Sequence, residues 1–242
     1  MVFYILGGDL MNIAGITKLS LLDYPDHLAC TVFTPGCQFR CPFCHNGKLA
    51  LANANLETDF SIRNIFDFLK KRIGILDAVC ISGGEPLLQD GLVDFIKVIK
   101  EMGYLVKLDT NGYLPERLES LLEMGLLDYV AMDIKNCPSH YAETCGINSI
   151  NPDTISKSIE IIKKSTIAFE FRTTVVREFH SAKDIKNLSD WNIAEATLYL
   201  QSFKDSNDQI RPGLHGYNTQ EMNILCQEAS RLIPGIRLRE IS

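Results

Sequence analysis

A short apolar run followed by a cysteine-rich loop is the most informative stretch of this chain for its fold. Leu28-Ala-Cys-Thr-Val-Phe-Thr34 continues through Pro35-Gly36 into Cys37-Gln-Phe-Arg-Cys41-Pro-Phe-Cys44-His-Asn46. β-Branched and aromatic residues that end at Pro-Gly predict a buried strand. The C-x3-C-x2-C spacing brings three soft thiolates within reach of one metal centre. The stretch therefore predicts a strand that delivers a metal-binding loop at its carboxyl end.

Two kinds of metal centre fit this loop. Three thiolates on a four-iron cluster leave one iron without a protein ligand, and an open coordination position is typical of a reactive site. Structural zinc is the alternative, with His45 or a distant cysteine as the fourth ligand, because zinc sites share the C-x2-C spacing. His45 directly follows Cys44, and adjacent residues rarely both turn toward one ion. The loop favours the cluster and leaves zinc open.

Composition excludes several classes of protein. The chain has 242 residues, 46% of them hydrophobic and 22% charged, which is ordinary for a globular protein. The net charge of −6, with Lys and Arg scattered, argues against a nucleic-acid partner. No run approaches the roughly 20 apolar residues of a membrane span. The first residues lack the basic region and cleavage site of a secretory signal. We expect a cytoplasmic protein whose eight cysteines are reduced.

Apolar runs alternate with helical patterns along the chain. Strands are predicted at 28–34, 77–82, 104–109, 128–134, 167–176 and 196–201, with a short one at 236–240. Helices are predicted at 61–72, 92–102, 115–124, 153–164, 183–190 and 219–232. This alternation predicts parallel strands, either in a doubly wound sheet or in a partial barrel. We expect a single domain at 13–242 and an extension at 1–12, with Met11 as a second possible start.

Unusual polar residues follow four successive strands. After the cysteine loop come Gly83-Gly84-Glu85, then Asp109 and Asn111, then Asp133 and Lys135. In either architecture the carboxyl ends of the strands hold the ligand site, so these residues are expected to converge.

Each of these motifs also has an ordinary explanation. Glu85 suits hydrogen bonds from an amine, or it ends a tight turn in solvent. Asp133 and Lys135 share one face of a strand and could form a surface ion pair. Arg172 lies in an apolar strand and needs an anionic partner, either a ligand carboxylate or an internal carboxylate. Cys137 and Cys145 flank a loop and could hold a second metal.

The cysteine loop and the motif Gly83-Gly84-Glu85-Pro86 together resemble the two leading motifs of the radical S-adenosylmethionine (SAM) superfamily. The resemblance implies an α/β fold, a partial (β/α)6 TIM-like barrel of parallel strands. It also implies a [4Fe–4S] cluster that binds S-adenosyl-L-methionine and cleaves it reductively to methionine and a 5′-deoxyadenosyl radical. The enzyme would be an oxidoreductase in which the cofactors carry the chemistry and no side chain acts as an acid or base.

The resemblance assigns roles residue by residue. It implies that Cys37, Cys41 and Cys44 hold the cluster. It places Phe43 near the adenine and Gly83, Gly84 and Glu85 around the methionine amine. It brings Asp109, Asp133, Lys135 and, more weakly, Arg172 to the cofactor's amino acid or ribose.

Within the superfamily, the chain is most similar to glycyl-radical-enzyme activases, and among them to the activating proteins of anaerobic (class III) ribonucleoside-triphosphate reductase. The similarity lies in Gly15-Ile-Thr-Lys-Leu-Ser-Leu-Leu-Asp-Tyr-Pro25, Asp109-Thr-Asn-Gly112 and Met132-Asp-Ile-Lys135. It implies a glycyl radical enzyme as the protein substrate and flavodoxin or ferredoxin as the electron donor.

The chain departs from the pyruvate formate-lyase activases at two places. Asp23-Tyr-Pro-Asp26 stands where they usually carry Asp-Gly-Pro-Gly, and Gln201-Ser-Phe203 lacks their histidine, which leaves the adenine side undefined. The alternatives are activation of another glycyl radical enzyme such as pyruvate formate-lyase, or radical chemistry on a different substrate. A more remote one is a non-catalytic zinc or iron–sulfur protein.

Overall fold

In the part of the chain that the structure describes, the fold is an eight-stranded sheet with helices packed against it. The computed structural model describes residues 11–52, 60–205 and 208–239. The strands are β1 (Gly15–Ser20), β2 (Ala29–Thr34), β3 (Ala78–Gly83), β4 (Leu105–Thr110), β5 (Tyr129–Asp133), β6 (Ala168–Val175), β7 (Leu198–Ser202) and β8 (Ile236–Leu238). Their spatial order is their chain order.

The helices connect successive strands. They are α1 (Gly47–Leu51), α2 (Ile62–Lys70), α3 (Leu92–Glu101), α4 (Pro115–Glu123), α5 (Tyr141–Thr144), α6 (Pro152–Lys164), α7 (Ala182–Asn187) and α8 (Thr219–Ala229). Short 3-10 helices lie at Pro86–Leu88, Pro138–His140 and Leu188–Trp191. Local chemistry fixes several helix starts, because the side chains of Ser61, Asn151 and Ser181 accept hydrogen bonds from the first free backbone amides.

The sheet is open and almost entirely parallel. Strands β2 to β8 pair in parallel, and only β1 runs antiparallel to its neighbour β2. Within the described residues, β1 and β8 each pair on one side only. The prediction of a partial barrel of parallel strands is therefore confirmed, and the carboxyl ends of β2 to β7 lie along one rim.

A continuous core holds the helices against the sheet. The strand residues Val32, Ile81 and Leu108 are fully buried, as are Leu69 on α2 and Ile99 on α3. Fully buried aliphatic residues in the strands are typical of parallel sheets that are covered on both faces. Of the expected extension, residues 1–10 lie outside the described part of the chain. Met11 is packed in the core, and the amide of Asn12 donates to the side chain of Gln89.

Strand β1 was not predicted. Its sequence, Gly-Ile-Thr-Lys-Leu-Ser, has weak strand character, and most of its side chains are exposed or half-buried. The strand is held by pairing with β2, where Ile16 lies opposite Val32. A further result concerns membranes: no helix in the described ranges is long and apolar enough to span one.

Candidate active site

The polar residues that follow the strands meet at one cavity of about 250 Å³. Three groups of side chains and glycines line it. The cysteine loop contributes Cys37, Phe39, Cys41, Phe43, Cys44, His45 and Asn46. The strand ends contribute Ser82, Gly83, Gly84, Asp109, Thr110, Asn111, Asp133, Lys135, Arg172, Thr174 and Gln201, and Ala50 of α1 completes the lining. The predicted convergence at the carboxyl ends is therefore present.

Backbone hydrogen bonds fold the cysteine loop so that its three thiols face this cavity. The amide of Cys44 donates to the carbonyl of Cys41 (3.0 Å), which makes a tight turn. The amide of Phe39 and the side-chain amide of Asn111 lie 3.4 and 3.6 Å from the sulfur of Cys37. These N–H groups point at a sulfur atom, an arrangement that favours a thiolate.

The side chain of Arg40 ties the loop to itself. Its guanidinium donates to the carbonyls of Cys37 and Phe39, and its backbone amide donates to the carbonyl of Cys145 (2.8 Å). Cys145 is fully buried beside Cys41 and does not line the cavity. Cys145, predicted as a possible partner of Cys137 in a second metal site, therefore lies against the cysteine loop.

Burial and one hydrogen bond set the pKa values of the three thiols. Burial raises the pKa of Cys37 to about 12, and burial also raises the pKa of Cys44. A hydrogen bond from Cys145 lowers the pKa of Cys41. Thiols that are costly to ionise without a cation become thiolates when a metal is bound. Because the donor set is three sulfurs with no carboxylate among them, it fits a soft iron–sulfur or zinc centre.

His45, the possible fourth zinc ligand, packs on an aromatic ring. Its imidazole stacks on Phe203, with ring centroids 5.4 Å apart. Burial, followed by the charge of Lys135, lowers the pKa of His45. Phe43, expected near the adenine, is almost fully buried and packs on Phe179, with ring centroids 5.8 Å apart.

Gly83 and Gly84 are required by the protein's own packing. A Cβ on Gly83 would lie 2.3 Å from backbone atoms of Thr34, and one on Gly84 would lie 2.0 Å from the carbonyl oxygen of Gly36. The amides of Gly84 and Glu85 donate to the carbonyls of Thr34 and Gly36, each at 2.8 Å. The glycines thus hold the end of β3 against the strand end that carries the cysteine loop.

Glu85 is fully buried and is absent from the cavity lining. One carboxylate oxygen accepts from the amide of Leu87 (3.1 Å) and the hydroxyl of Thr110 (2.8 Å). The other accepts from the amide of Asn111 (2.8 Å). Burial raises the pKa of Glu85 to about 7, against the opposing effect of these bonds. In this structure the carboxylate joins the ends of β3 and β4.

Charged residues from three strands form a network on the cavity wall. Arg172 Nε donates to Asp133 Oδ1 at 2.8 Å, and its guanidinium lies 3.5 Å from Asp109 Oδ1. Lys135 donates to the other oxygen of Asp133 at 3.0 Å. The buried Lys107, which sequence analysis did not single out, donates to Asp109. A lysine inside the apolar strand β4 was the signal that could have revealed it.

The network keeps its members ionised in spite of burial. Burial alone would raise the pKa of Asp109 and Asp133, but Arg172, with Lys107 or Lys135, lowers both pKa values below their usual range. Burial would lower the pKa of Lys135 and Arg172. Asp133 and then Cys41 raise the pKa of Lys135, whereas Asp109 and Asp133 raise the pKa of Arg172. The wall therefore presents paired charges of both signs, which suits a zwitterionic ligand.

Comparison with known proteins agrees with this fold and this loop. The profile of the Radical SAM superfamily matches residues 31–191. The chain belongs to the radical SAM superfamily, whose members use a [4Fe–4S] cluster and SAM.

Relatives refine the assignment. The chain is 35% identical to a Methanocaldococcus jannaschii protein named "putative glycyl-radical enzyme activating enzyme", over 95% of this chain and 96% of the relative. It is also 35% identical to the pyruvate formate-lyase-activating enzyme of Clostridium pasteurianum, over 52% of each chain. It is thus a homologue of glycyl-radical-enzyme activating enzymes.

Solved structures show the same fold at low identity. Streptococcus suis SuiB bound to S-adenosylmethionine superimposes with a TM-score of 0.66 at 15% identity, over 86% of this chain and 48% of that one. At this identity the likeness supports the fold.

Proposed function

We propose that this chain activates a partner enzyme by generating a glycyl radical on it, and that the partner is an anaerobic ribonucleoside-triphosphate reductase. The observation that carries the proposal is that the three thiols of Cys37, Cys41 and Cys44 line the same cavity as the charged network of Asp109, Asp133, Lys135 and Arg172. The likeness of the whole chain to an activating enzyme supports the class of reaction. The identification of the partner as an anaerobic ribonucleotide reductase is based on the sequence motifs alone.

In this proposal Cys37, Cys41 and Cys44 would hold a [4Fe–4S] cluster, and three cysteine ligands would leave one iron without a protein ligand. When bound there, the cluster and S-adenosyl-L-methionine supply one-electron cleavage of the sulfonium and hydrogen-atom abstraction from a glycine. Flavodoxin or ferredoxin is proposed as the electron donor.

The network of charged residues orients the amino-acid part of the cofactor. Lys135 and Arg172 offer positive charge to a carboxylate, while Asp109 and Asp133 accept from ammonium or hydroxyl groups. Because these charges are already paired in the protein, the wall is rigid before a ligand arrives. Gly83 and Gly84 add backbone without side chains at the same wall.

Phe43 and Gln201 complete the proposed site. Phe43 lines the cavity as a packed aromatic surface, which suits a flat base. Gln201 also lines the cavity, and it belongs to the stretch Gln201-Ser-Phe203 that lacks the histidine of the formate-lyase activases. Its amide both donates and accepts hydrogen bonds, so it can replace an imidazole toward a nucleobase.

The buried Glu85 has an indirect role in this proposal. It accepts from the amide of Asn111, and Asn111 in turn contacts Cys37. Its carboxylate therefore fixes the strand end that supports the cluster loop. It reaches a cofactor amine only if a side chain rearranges when the ligand binds.

The first experiment tests the chemistry. Protein reconstituted anaerobically with iron and sulfide is given S-adenosyl-L-methionine and dithionite, and 5′-deoxyadenosine is quantified. We expect product from the parent and from Cys226→Ala, a cysteine outside the site, and none from Cys41→Ala. Cys145→Ser should keep the product, since Cys145 does not line the cavity. A closed zinc centre without cleavage in the parent would refute the proposal.

The second experiment tests the partner. The loaded protein is mixed with anaerobic ribonucleotide reductase or with pyruvate formate-lyase, and the glycyl radical is measured by EPR. The local match to formate-lyase activases makes the second enzyme the alternative substrate. A glycyl radical signal with the reductase alone supports the proposed partner. A signal with pyruvate formate-lyase alone would show that formate-lyase is the partner instead.

A further inference from the structure

We infer that Cys137, His140 and Asp184 form a second metal site, built for a divalent transition ion such as Zn²⁺ and separate from the cluster loop. One ligand atom from each residue lies within 4.8 Å of the other two. Cys137 and His140 belong to the loop that follows β5, and Asp184 lies in α7 after β6. The inference does not depend on the proposed glycyl-radical function.

Two possible ligands converge on one carboxylate oxygen. His140 Nδ1 lies 2.7 Å and Cys137 Sγ lies 3.8 Å from the same atom, Asp184 Oδ1. The other oxygen, Oδ2, accepts from the amide (2.8 Å) and hydroxyl (2.6 Å) of Ser181. Such outer hydrogen bonds orient a carboxylate toward a metal, because they occupy the oxygen that does not bind it.

The donor set defines the kind of ion. A thiolate, an imidazole and a carboxylate together suit Zn²⁺ or a similar first-row ion and do not suit Ca²⁺ or Mg²⁺. Binding would release the thiol proton of Cys137. His140 would bind the ion through Nδ1 and carry its remaining proton on Nε2. One divalent ion would then neutralise one thiolate and one carboxylate. The hydroxyl of Ser139, 3.3 Å from the Cys137 sulfur, can donate to that thiolate.

Burial distinguishes this site from an ordinary histidine–carboxylate pair. His215 and Glu178 form such a pair elsewhere, also with a 2.7 Å contact, and within the described residues no thiol joins them in a group of possible metal ligands. Cys137 is fully buried and Asp184 nearly so, whereas the His140 side chain is 52% exposed. An ion can therefore enter from the His140 side, and water can fill a fourth position. The burial of Cys137 also argues against a nucleophilic role.

The sequence carried a partial signal for this site. The prediction of a second metal at Cys137 and Cys145 contains one of the three ligands, and the histidines outside the cysteine loop, including His140, follow no standard metal-ligand spacing. The third ligand, Asp184, lies 44 residues from His140 and is brought in only by the fold.

A metal here would brace one wall of the candidate active site. Cys137 follows Asn136, which is fully buried and donates to the hydroxyl of Thr144 (2.8 Å) and the carbonyl of Phe179 (2.9 Å). Asn136 in turn follows Lys135, a member of the charged network. The ion would therefore link the loop that positions Lys135 to the start of α7.

The test measures metal rather than activity. Protein loaded with its iron–sulfur cluster is incubated with zinc and desalted, and then iron and zinc per chain are quantified. X-ray absorption at the zinc edge, which iron does not obscure, reports the ligands. We expect one zinc per chain, bound by one sulfur and otherwise by nitrogen or oxygen. His140→Ala should weaken zinc binding at least tenfold in a chelator competition and leave the iron content unchanged.

Controls separate this site from the alternatives. His215→Ala alters the similar histidine–carboxylate pair and should keep the zinc, while Cys137→Ser should remove the sulfur signal. Zinc bound by three sulfurs and lost in Cys41→Ala would place the ion in the cluster loop and overturn the inference. The inference also fails if the loaded protein takes up no zinc, or if His140→Ala retains it with unchanged affinity.

Discussion

Arg172 Nε donates to Asp133 Oδ1 at 2.8 Å, and the two residues lie directly opposite each other in the ladder of β5 and β6. Parallel pairing in register puts both side chains on the same face of the sheet. Asp109, at the end of the adjacent strand β4, lies within 3.5 Å of the same guanidinium. Strand register therefore brings Asp109, Asp133 and Arg172 together, and Lys135 joins them from the loop after β5.

Removing one carboxylate from this wall should cost stability. Asp133→Asn leaves Arg172 and Lys135 without their shared anion in a partly buried site. A fully buried pair that loses one partner costs about 3–5 kcal/mol and an exposed pair under about 1 kcal/mol. Since the Asp133 side chain is 33% exposed, we expect a loss of about 2 kcal/mol in the free energy of unfolding, measured with urea.

A surface pair provides the control for Asp133→Asn. Asp94 and Lys97 on α3 are 3.5 Å apart, with side chains 77% and 51% exposed. Asp94→Asn should change the free energy of unfolding by less than about 0.5 kcal/mol. Equal effects of the two substitutions would show that the network contributes no more than a surface ion pair.

Glu85 should make stability fall as the pH rises. Its folded-state pKa is raised from 4.5 to about 7, chiefly by burial, so the folded protein favours the neutral acid. The resulting stabilisation is complete below about pH 4.5 and is lost as the pH rises through about 7. Glu85→Gln does not titrate at this position. Relative to that variant, the free energy of unfolding of the parent should fall by on the order of 3 kcal/mol between pH 4.5 and pH 8. Urea unfolding of both cluster-free proteins across this range measures the difference.

A second variant tests the same titration. Thr110→Val removes the hydroxyl that donates to Glu85 at 2.8 Å. With one donor fewer, the carboxylate is less stabilised, so the midpoint of the stability change should move to higher pH. Two results would contradict this account of Glu85. One is a difference in the free energy of unfolding between the parent and Glu85→Gln that does not change with pH. The other is a pH midpoint of that change that is the same in Thr110→Val.

The order of most elements could be predicted because they carry a local signal, whereas β1 and the short helices α1 and α5 were not predicted. Strands β2, β3 and β4 are apolar runs that end at turn residues, and α2 lies within the stretch 61–72 where the helical spacing of apolar residues predicts a helix. Strand β1 could not be predicted in the same way. It is short and half-exposed, and its stability comes from pairing with β2, which is a tertiary contact.

The candidate site was predictable at the level of strand ends. A residue that follows a parallel strand must lie at the carboxyl rim, so the convergence of Cys37, Asp109 and Asp133 follows from topology. Contacts between side chains do not follow from it. The inward burial of Glu85 and the pairing of Lys107 with Asp109 depend on packing among strands, which the linear pattern does not encode.

Asn111 should tune the reduction potential of the cluster. Its side-chain N–H lies 3.6 Å from the Cys37 sulfur, and donors to cluster sulfurs stabilise the reduced, more negative state. Asn111→Ala should lower the potential by roughly 40 mV, equivalent to about 1 kcal/mol for one electron. An EPR-monitored redox titration of the loaded protein measures it.

Gln38→Ala serves as the control for the Asn111 substitution. Gln38 donates to the side-chain oxygen of Asn111 at 3.1 Å, but it does not donate to the Cys37 sulfur. Its loss should shift the potential less than the loss of Asn111 does. If the two variants give the same potential as the parent, the Asn111 contact has no electronic role.

The packing of Gly84 against the cysteine loop should make it intolerant of a single methyl group. A Cβ there would lie 2.0 Å from the carbonyl oxygen of Gly36 and 2.6 Å from its carbon, both backbone atoms that cannot rotate away. Gly84→Ala must therefore separate the ends of β2 and β3, and we expect a loss of about 3 kcal/mol in the free energy of unfolding. Because Gly36 precedes Cys37, the iron content after reconstitution should fall as well.

Gly15→Ala is the matched control, since a Cβ on Gly15 meets only a side-chain atom of Phe33 at 3.9 Å. Gly15 is the first residue of β1, and alanine restricts the unfolded chain more than glycine does, so this variant should be neutral or stabilising by at most about 1 kcal/mol. Urea unfolding and iron analysis of both variants separate the steric clash at Gly84 from the general effect of replacing glycine by alanine. If Gly84→Ala were as stable as Gly15→Ala and bound the same iron, the close approach of the two strand ends would not be what requires glycine at position 84.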